Sequence, residues 1–591
     1  MNQELLIKIC REIEKDALVT QRALAASCGV SLGLINLTLG QAREAELLSS
    51  DESSLTITPK GWEFLTQFTV KNAIILSAGF GSRCIPLTYE TPKGLLQVNG
   101  KPMIERQIEQ LLEKGITEIV IVVGYLKEKF DYLIDKYGVK LVFNPEFSTK
   151  NNLASLYRAL PYLDSSYILM SDNWIENNIF NAYEADSWFS CLYFEGETAE
   201  WCVKHSKTDL IKEISIGGAD SFAIVGPAYF SKRFSEKFSV LVKDYYNKKG
   251  TDDFYWEHIL RDHIRDLPMY MNRQTGNVHE FENLEELRMY DKSYLNDINN
   301  QIMKTIAKVH SVPQCEIHGL EPIKEGLTNH SFKFSVGNES FVFRIPGTGT
   351  DKLINRRNEK IVYDLITPHH ISDEIVFFDA DTGIKITKFY DDVTVADPFD
   401  DSQLKECMEK IKHFHGLALD VDHSFDIENM IHYYYSLANE ANAIRFSDID
   451  ETREKLQKLF TLKKKLGIKE ILCHGDYAHI NVLMFPSGES RLIDFEYAGV
   501  ADPIMDISMF AIFAEFDKER IDLSLQMYCD REPTVEEVVR LYLYVALGSF
   551  LWCMWGQYKQ AFGQEMGEYP LIMYRYMKDY YKLLDKMGFI D

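Results

Sequence analysis

The sequence has little that would suggest a secreted, membrane-spanning or nucleic-acid-binding protein. Its ten cysteines form no C-x-x-C pair, which disfavours a disulfide framework or structural zinc site and favours a reducing cytoplasm. No uninterrupted apolar run reaches about 18 residues, so we expect no membrane span. The first residues lack the basic stretch of a signal peptide, so we expect none. Lys and Arg number 64 against 89 Asp and Glu, and the resulting net charge of −25 disfavours general binding to nucleic acid or anionic membranes.

The chain is long enough for several domains. It has 591 residues, of which 46% are hydrophobic and 26% charged, a composition typical of soluble globular proteins. At this length we expect about three to five domains. The patterns along the chain divide it into blocks 1–68, 70–295 and 300–591, with a polar helical connector between the second and third. We therefore predict a multidomain α/β and α+β protein.

The first block is mostly helical by pattern and ends in a short alternating segment at 55–58. This order resembles a bacterial winged helix-turn-helix domain. Residues 1–70 nevertheless carry six basic and nine acidic side chains, and the predicted recognition helix that begins after Ser31 holds only Arg43 among bases. We therefore expect dimerisation or contact between domains, a homodimer through this block included, in preference to DNA binding.

The second block opens with a buried strand and a glycine-rich loop, L-S-A-G-x-G-S-R at 76–83, with T-P-K at 91–93. Glycines after a strand let backbone N–H groups approach phosphates. The combination resembles the nucleotidyltransferase family that activates sugar phosphates and phosphocholine. The resemblance implies a Rossmann-like α/β/α domain in which Arg83 and Lys93 are catalytic and neutralise the triphosphate. The expected nucleotide-binding residues are Ser77, Ala78, Gly79, Gly81 and Ser82.

The resemblance also implies metal and substrate residues in this block. Asp172 ends an apolar strand and corresponds to a metal ligand, and the late acidic cluster supplies Glu282 as the second, with Glu280 as the alternative. Carboxylates suit Mg²⁺. Trp201 and Trp256 favour the phosphocholine cytidylyltransferases, because aromatic faces attract quaternary ammonium groups. Either Trp could instead pack in the core.

The third block carries H-G-D-x-x-x-x-N at 474–481, followed by I-D-F-E at 493–496. Phosphoryl transfer to a hydroxyl needs one carboxylate as base and an amide and a second carboxylate for Mg²⁺. The pattern resembles choline/ethanolamine kinases and aminoglycoside phosphotransferases, which implies a bilobal protein-kinase-like fold. Asp476 would then be the catalytic base, Asn481 and Asp494 the metal ligands, and Asp506 a brace for the catalytic loop.

The same resemblance assigns the ATP site. Arg344 lies on a predicted strand where choline kinases often have Arg, and a guanidinium can bridge phosphate oxygens. Glu359 is its expected ion-pair partner, although a solvated helix face is the alternative. The expected nucleotide-binding residues are Thr328, Asn329, Arg344, Glu359 and Thr387.

Two of the seven Trp, Trp552 and Trp555, lie one helical turn apart near the end of the chain. W-x-x-W here resembles the aromatic cage of choline kinases, with Tyr497 and Glu515 as further members. A trimethylammonium group has no N–H to donate, so an aromatic box suits it. A helix packed by aromatic side chains is the alternative.

Together these patterns predict a bifunctional enzyme. The third block would phosphorylate choline with ATP, and the second would transfer CMP from CTP to phosphocholine, giving CDP-choline. An ethanolamine or sugar kinase fused to the matching nucleotidyltransferase is one alternative, and CTP is not distinguished from other nucleoside triphosphates. A choline-responsive DNA-binding regulator with degenerate enzyme domains is another, although the intact motifs argue against degeneracy.

Overall fold

The structure is a computed structural model that describes residues 2–49, 54–296, 298–323, 329–347, 354–561 and 566–590. The chain divides into two compact units, 1–320 and 321–591. The first unit contains the blocks predicted at 1–68 and 70–295.

The N-terminal block of the first unit is helical, as its pattern predicts. Its helices are Gln3–Lys15, Gln21–Cys28, Leu32–Glu44 and Pro59–Thr66. Side-chain oxygens cap all four of them, including Ser31 before the third helix. At the expected wing, the described residues show a bridge between Leu48 and Ile57. The winged helix-turn-helix assignment stays a prediction.

The rest of the first unit is built on a seven-stranded sheet. Its strands, in spatial order, are Tyr270–Arg273, Trp188–His205, Ile211–Phe230, Ser166–Met170, Asn72–Ser77, Ile119–Val123 and Lys140–Phe143. Asn72–Ser77 lies near the centre and pairs in parallel with both neighbours. Every residue of this strand is buried, as expected for a parallel strand with both faces covered. Successive side chains enter different apolar clusters, with Ile74 on one face and Ile75 on the other.

Helices cover this sheet and connect its strands. They are Leu87–Glu90, Met103–Leu112, Tyr132–Tyr137, Asn152–Ala159, Lys232–Tyr246, Glu257–His263, Leu284–Tyr290, Ser293–Asn296 and Gln301–His310. A separate antiparallel pair joins Asn173–Ile175 to Val278–Glu280. The strand–helix–strand order confirms the predicted Rossmann-like architecture.

The second unit begins with a small β-rich lobe. Its antiparallel strands, in spatial order, are Asn329–Val336, Glu339–Pro346, Lys385–Lys388 and Ile375–Phe378. The helix Arg356–Ile366 accompanies them, and strand Ile317–Pro322 crosses the boundary between the units. The four strands lie where the sequence predicts them.

A larger helical lobe follows. Its helices are Asp401–Gly416, Ile427–Glu440, Ile449–Lys465, Pro503–Phe513, Lys518–Cys529, Val535–Ala561 and Tyr569–Lys586, with short strands Thr394–Val395, Ile471–Cys473, Val482–Met484, Ser490–Leu492 and Gly499–Ala501. Helix Val535–Ala561 is long and apolar enough to cross a membrane by length and composition, and most of its apolar stretch is buried inside the fold. The order of a small β lobe and a helical lobe confirms the predicted kinase-like fold.

Candidate active sites

The first unit has a cavity of about 460 Å³, here called the glycine-loop cavity, at the carboxyl end of strand Asn72–Ser77. Its lining includes the predicted residues Ser77, Ala78, Gly79, Gly81, Ser82, Arg83, Lys93 and Asp172. Gly81 has φ of 71°, and a Cβ there would lie 3.1 Å from the Cβ of Lys93. Glycine therefore permits both the left-handed turn and the close approach of the lysine.

A lysine and an aspartate meet inside this cavity. Lys93 Nζ lies 2.8 Å from Asp172 Oδ2, and both side chains are largely buried. Burial alone would lower the pKa of Lys93, but the carboxylate of Asp172 outweighs it and raises that pKa. Asp172 Oδ1 is buried without a hydrogen-bond partner among the described residues. The pair therefore holds a charged ammonium and leaves one carboxylate oxygen for a ligand.

Glu280 and Glu282, the two candidate ligands of the late acidic cluster, have different neighbours. The register of the short antiparallel pair places Glu280 opposite Asn173, the neighbour of Asp172. The charge of Asp172, followed by burial, raises the pKa of Glu280 to about 8. Glu282 instead forms an ion pair with Arg83. The structure thus brings Glu280, the alternative ligand, next to Asp172, while the carboxylate of Glu282 is paired with a cation.

The two predicted aromatic residues of the first unit, Trp201 and Trp256, lie in different environments. Trp201 is half-buried and packs edge-to-face on His258, with ring centroids 4.8 Å apart. Trp256 is 2% exposed and stacks on Phe189 in the apolar core, so it does not face the glycine-loop cavity, and this placement is a correction. Its exposed neighbour Tyr255 lines that cavity. The sequence prediction named Trp256 and not Tyr255.

In the second unit, a tight turn and a buried carboxylate shape the catalytic loop. Gly475 has φ of 80°, and a Cβ there would lie 2.3 Å from the backbone oxygen of Tyr497, so only glycine fits. The backbone N–H groups of His474 and Gly475 donate to Asp506 at 2.7 and 2.9 Å. His415 Nε2 lies 3.0 Å from the same carboxylate. Asp506 thus braces the loop as expected.

Asp476, Asn481 and Asp494 come together at the end of this loop. The Asn481 amide donates to the backbone oxygen of Asp476 at 2.9 Å. Burial, followed by the charges of Asp494 and Glu496, raises the pKa of Asp476 well above its usual range. Asp494 has φ of 67°, a strained conformation that is typical of functional sites. Crowded carboxylates of this kind suit a divalent cation.

Arg344, on a strand of the small lobe, forms ion pairs with Asp494 and with Glu359. Its Nη1 lies 2.9 Å from Asp494 Oδ1, and its Nη2 lies 2.5 Å from Glu359 Oε1. Glu359 is 1% exposed and also pairs with Arg356 at 3.0 Å, so the solvated-face alternative is excluded. Burial would lower the pKa of Arg344, but these carboxylates outweigh it and raise that pKa. The guanidinium is therefore fixed beside the predicted metal ligands.

A second cavity, of about 400 Å³ and here called the hinge cavity, opens between strand Lys385–Lys388 and the end of the catalytic segment. Asn329, Arg344, Thr387 and Asp494 line it, as the predicted ATP site requires. Asn329 also donates to Glu496 at 3.2 Å. Thr328 lies outside the described residues. Asp373 lines the cavity as well, and no sequence motif indicated it.

Trp552, Trp555 and Tyr497 form one aromatic cluster. Trp552 packs edge-to-face on Tyr497 and on Trp555, with ring centroids 5.8 Å apart in each case. The Trp555 ring has the ammonium of Lys559 5.6 Å from its centroid. Both tryptophans are 4% exposed. The cluster thus presents aromatic faces, one of which already meets a cation.

Glu515, a predicted further member of this cluster, is exposed at the surface. Burial, followed by the charges of Asp476, Cys553 and Glu515, raises the pKa of Tyr569. A Cβ at Gly556 would lie 3.5 Å from the Tyr569 ring, which places that ring beside the Trp552–Gly556 turn. The Tyr569 ring therefore lies beside the aromatic cluster, and its hydroxyl group is close enough to Asp476, the predicted base, for their charges to interact. Sequence reasoning missed Tyr569 because it belongs to the following helix.

Two family models match the chain. Residues 73–172 match the MobA-like NTP transferase domain, and residues 320–545 match choline/ethanolamine kinase. Each match covers the motifs that form one of the two sites.

Curated relatives match the two parts separately. The chain is similar to choline-phosphate cytidylyltransferase of Streptococcus pneumoniae, with 37% identity over 38% of this chain and 99% of the relative. It is similar to 2-aminoethylphosphonate cytidylyltransferase of Lancefieldella rimae, with 36% identity over 38% of this chain and 93% of the relative. The remaining part is similar to protein LicA of Haemophilus influenzae, with 25% identity over 44% of this chain and 100% of the relative.

Proposed function

Because the chain belongs to the choline-phosphate cytidylyltransferase family and carries a choline/ethanolamine kinase domain on the same polypeptide, we propose that it makes CDP-choline in two steps. The second unit phosphorylates choline with ATP, and the first transfers CMP from CTP to the resulting phosphocholine. The observation that carries the proposal is the presence of two separate carboxylate–cation centres, Lys93 with Asp172 and Arg344 with Asp494. The product of one step is the substrate of the other.

In the kinase step, Asp476 accepts the proton of the choline hydroxyl while the hydroxyl oxygen attacks the γ-phosphorus of ATP. The bond from that phosphorus to the bridging oxygen breaks, and ADP leaves. Arg344, held by Glu359 at 2.5 Å, is placed to contact phosphate oxygens. The faces of Trp552 and Trp555 take the trimethylammonium group.

In the cytidylyl step, a phosphate oxygen of phosphocholine attacks the α-phosphorus of CTP and pyrophosphate leaves. The backbone N–H groups of the glycine loop contact phosphate oxygens. Lys93 and Arg83 balance the charge that develops on the departing pyrophosphate. Trp201 and Tyr255 provide aromatic surface for the quaternary ammonium group.

The carboxylates of both sites fit Mg²⁺. Asp172 offers a buried oxygen without a partner among the described residues, and its proximity raises the pKa of Glu280. We assign Asp172 and Glu280 to the cation of the first site, and Asn481 and Asp494 to that of the second. A bound Mg²⁺ supplies positive charge that stabilises the phosphate oxygens during transfer. The free thiols of all ten cysteines support a cytoplasmic location.

A second candidate exists for the acceptor of the first unit. The similarity to a 2-aminoethylphosphonate cytidylyltransferase is nearly as great as that to the choline-phosphate enzyme. The second candidate acceptor is therefore a phosphonate with a primary amine in place of phosphocholine. In that case the product of the kinase would not be the substrate of the first unit.

The test measures each half-reaction with a panel of acceptors. Pyrophosphate release from CTP is followed with phosphocholine, phosphoethanolamine, 2-aminoethylphosphonate and glucose 1-phosphate, and ADP release from ATP with choline and ethanolamine. We expect the highest kcat/KM for phosphocholine and choline. A preference for 2-aminoethylphosphonate would establish the second candidate, and a preference for glucose 1-phosphate would exclude both.

A further inference from the structure

The hinge cavity is lined by an acidic side chain, Asp373, that the phosphoryl-transfer mechanism does not use. Asp373 precedes strand Ile375–Phe378 and lines the cavity together with Thr387. It is 8% exposed. Its Oδ1 atom is buried and has no hydrogen-bond partner among the described residues. Buried carboxylate oxygens are normally hydrogen-bonded, so this atom is suited to a ligand that donates.

The neighbouring cations are engaged elsewhere. Lys385 Nζ donates to the Tyr363 hydroxyl at 2.8 Å and lies 3.5 Å from Glu359. In the described part of the chain, the ion pairs of Arg344 likewise go to Glu359, Asp494 and Glu496. Burial raises the pKa of Asp373, and the neighbouring Lys385, Arg344 and Thr387 only partly offset this rise. The carboxyl group of Asp373 therefore provides a hydrogen-bond acceptor at the wall of the cavity.

We propose that Asp373 selects the nucleobase of the phosphate donor by accepting a hydrogen bond from the 6-amino group of a purine. The inference rests on the proposed function, in which this cavity holds ATP. A carboxylate accepts hydrogen bonds and does not donate them. Adenine presents an amino group at position 6, whereas guanine and hypoxanthine present a carbonyl oxygen. Asp373 thus favours the 6-amino group of adenine over the 6-carbonyl oxygen of the other two bases.

The experiment measures binding of MgADP and MgIDP to the full-length protein by calorimetry, without choline. The two ligands differ at the purine 6-position, where a carbonyl replaces the amino group, and at N1, which carries a hydrogen only in IDP. We expect the wild type to bind ADP about tenfold or more tightly than IDP, the ratio that one hydrogen bond to a charged group supplies. Asp373→Asn, whose amide can also donate to a carbonyl, should reduce this ratio to about twofold.

The control is Asp381→Asn, which changes an exposed aspartate of the same lobe that forms an ion pair with Arg357 at the surface. It should leave both affinities unchanged. Equal loss of ADP and IDP affinity in Asp373→Asn would mean that Asp373 only supports Thr387, and the proposal would be wrong.

The wild-type comparison keeps the test valid if Asp373→Asn fails to fold. Equal affinity of the wild type for ADP and IDP would overturn the proposal without any variant. Failure of the wild type to bind either nucleotide would instead overturn the proposed kinase function. Tight ADP binding with an unchanged ADP-to-IDP ratio in the variant would leave that function intact and reject the role of Asp373 alone.

Discussion

The ammonium of Lys93 lies 2.8 Å from the carboxylate of Asp172, although the two residues are 79 positions apart in the sequence. Lys93 follows the glycine loop, and Asp172 follows the strand Ser166–Met170 that pairs with Asn72–Ser77. The parallel sheet therefore brings this lysine and this aspartate to one edge, where we propose that Lys93 contacts the triphosphate and Asp172 holds Mg²⁺.

Replacing Lys93 by Ala should lower kcat for cytidylyl transfer by about 10²–10³-fold, because the charge that balances the departing pyrophosphate is lost. Choline phosphorylation should remain at the wild-type rate. Both rates are measured on the same preparation, by pyrophosphate release and by ADP release. Lys71→Ala, which removes an exposed lysine paired with Glu118 at the surface, serves as the control. Loss of both activities in folded Lys93→Ala would contradict the assignment.

Replacing Asp476 by Asn should reduce choline phosphorylation at least about 10²-fold, because Asn cannot accept the hydroxyl proton. Cytidylyl transfer to supplied phosphocholine should be unchanged. The exposed Asp420→Asn provides a matched substitution in the same unit. Full kinase activity in Asp476→Asn would remove this residue from the role of base.

The two late glutamates of the first unit should respond differently to Mg²⁺. Glu280→Gln should raise the Mg²⁺ concentration needed for half-maximal cytidylyl transfer about tenfold or more, because it removes the carboxylate next to Asp172. Glu282→Gln should change this concentration less and raise the KM for CTP instead, because Arg83 loses its partner. The measurement is a Mg²⁺ titration of each variant at saturating CTP. The reverse order of effects would restore Glu282 as the ligand.

The aromatic cluster should recognise the charge of choline. Trp555→Leu should raise the KM for choline about tenfold and leave the KM for ATP unchanged, whereas Trp555→Phe keeps an aromatic face and should have a smaller effect. Thermal unfolding of both variants checks that the buried substitution is tolerated.

The neutral isostere 3,3-dimethyl-1-butanol separates charge recognition from packing. In the wild type it should be a much poorer substrate than choline. In Trp555→Leu the difference between the two should shrink, because only choline loses a cation–π contact. An unchanged choline-to-isostere ratio would show that Trp555 only packs the helix.

The chemistry of both sites was predictable because local segments carry it. The glycine loop with Lys93, and Asp476 with Asn481, lie close in sequence and keep their neighbours in the structure. Each segment follows a buried strand, so the side chains that chemistry requires emerge at the end of that strand. The resemblance also assigns roles to Asp494 and Arg344, which form an ion pair in the structure, and these roles stay predictions.

The remaining features depend on tertiary packing. Phe189 and its neighbours pack on the ring of Trp256 and hold it in the core, so that Tyr255 faces the glycine-loop cavity instead. Glu280 approaches Asp172 through the register of two short strands, which no motif specifies. Asp373 lies in a connection between elements, and only the assembled lobe shows that this residue lines a cavity.

The most direct test of the two-step account is phosphorus NMR of the purified protein with choline, ATP, CTP and Mg²⁺. The account predicts a transient phosphocholine signal, followed by the diphosphate signals of CDP-choline together with pyrophosphate. Omission of ATP should abolish all three unless phosphocholine is supplied. A spectrum without any choline-dependent change would contradict the central claim.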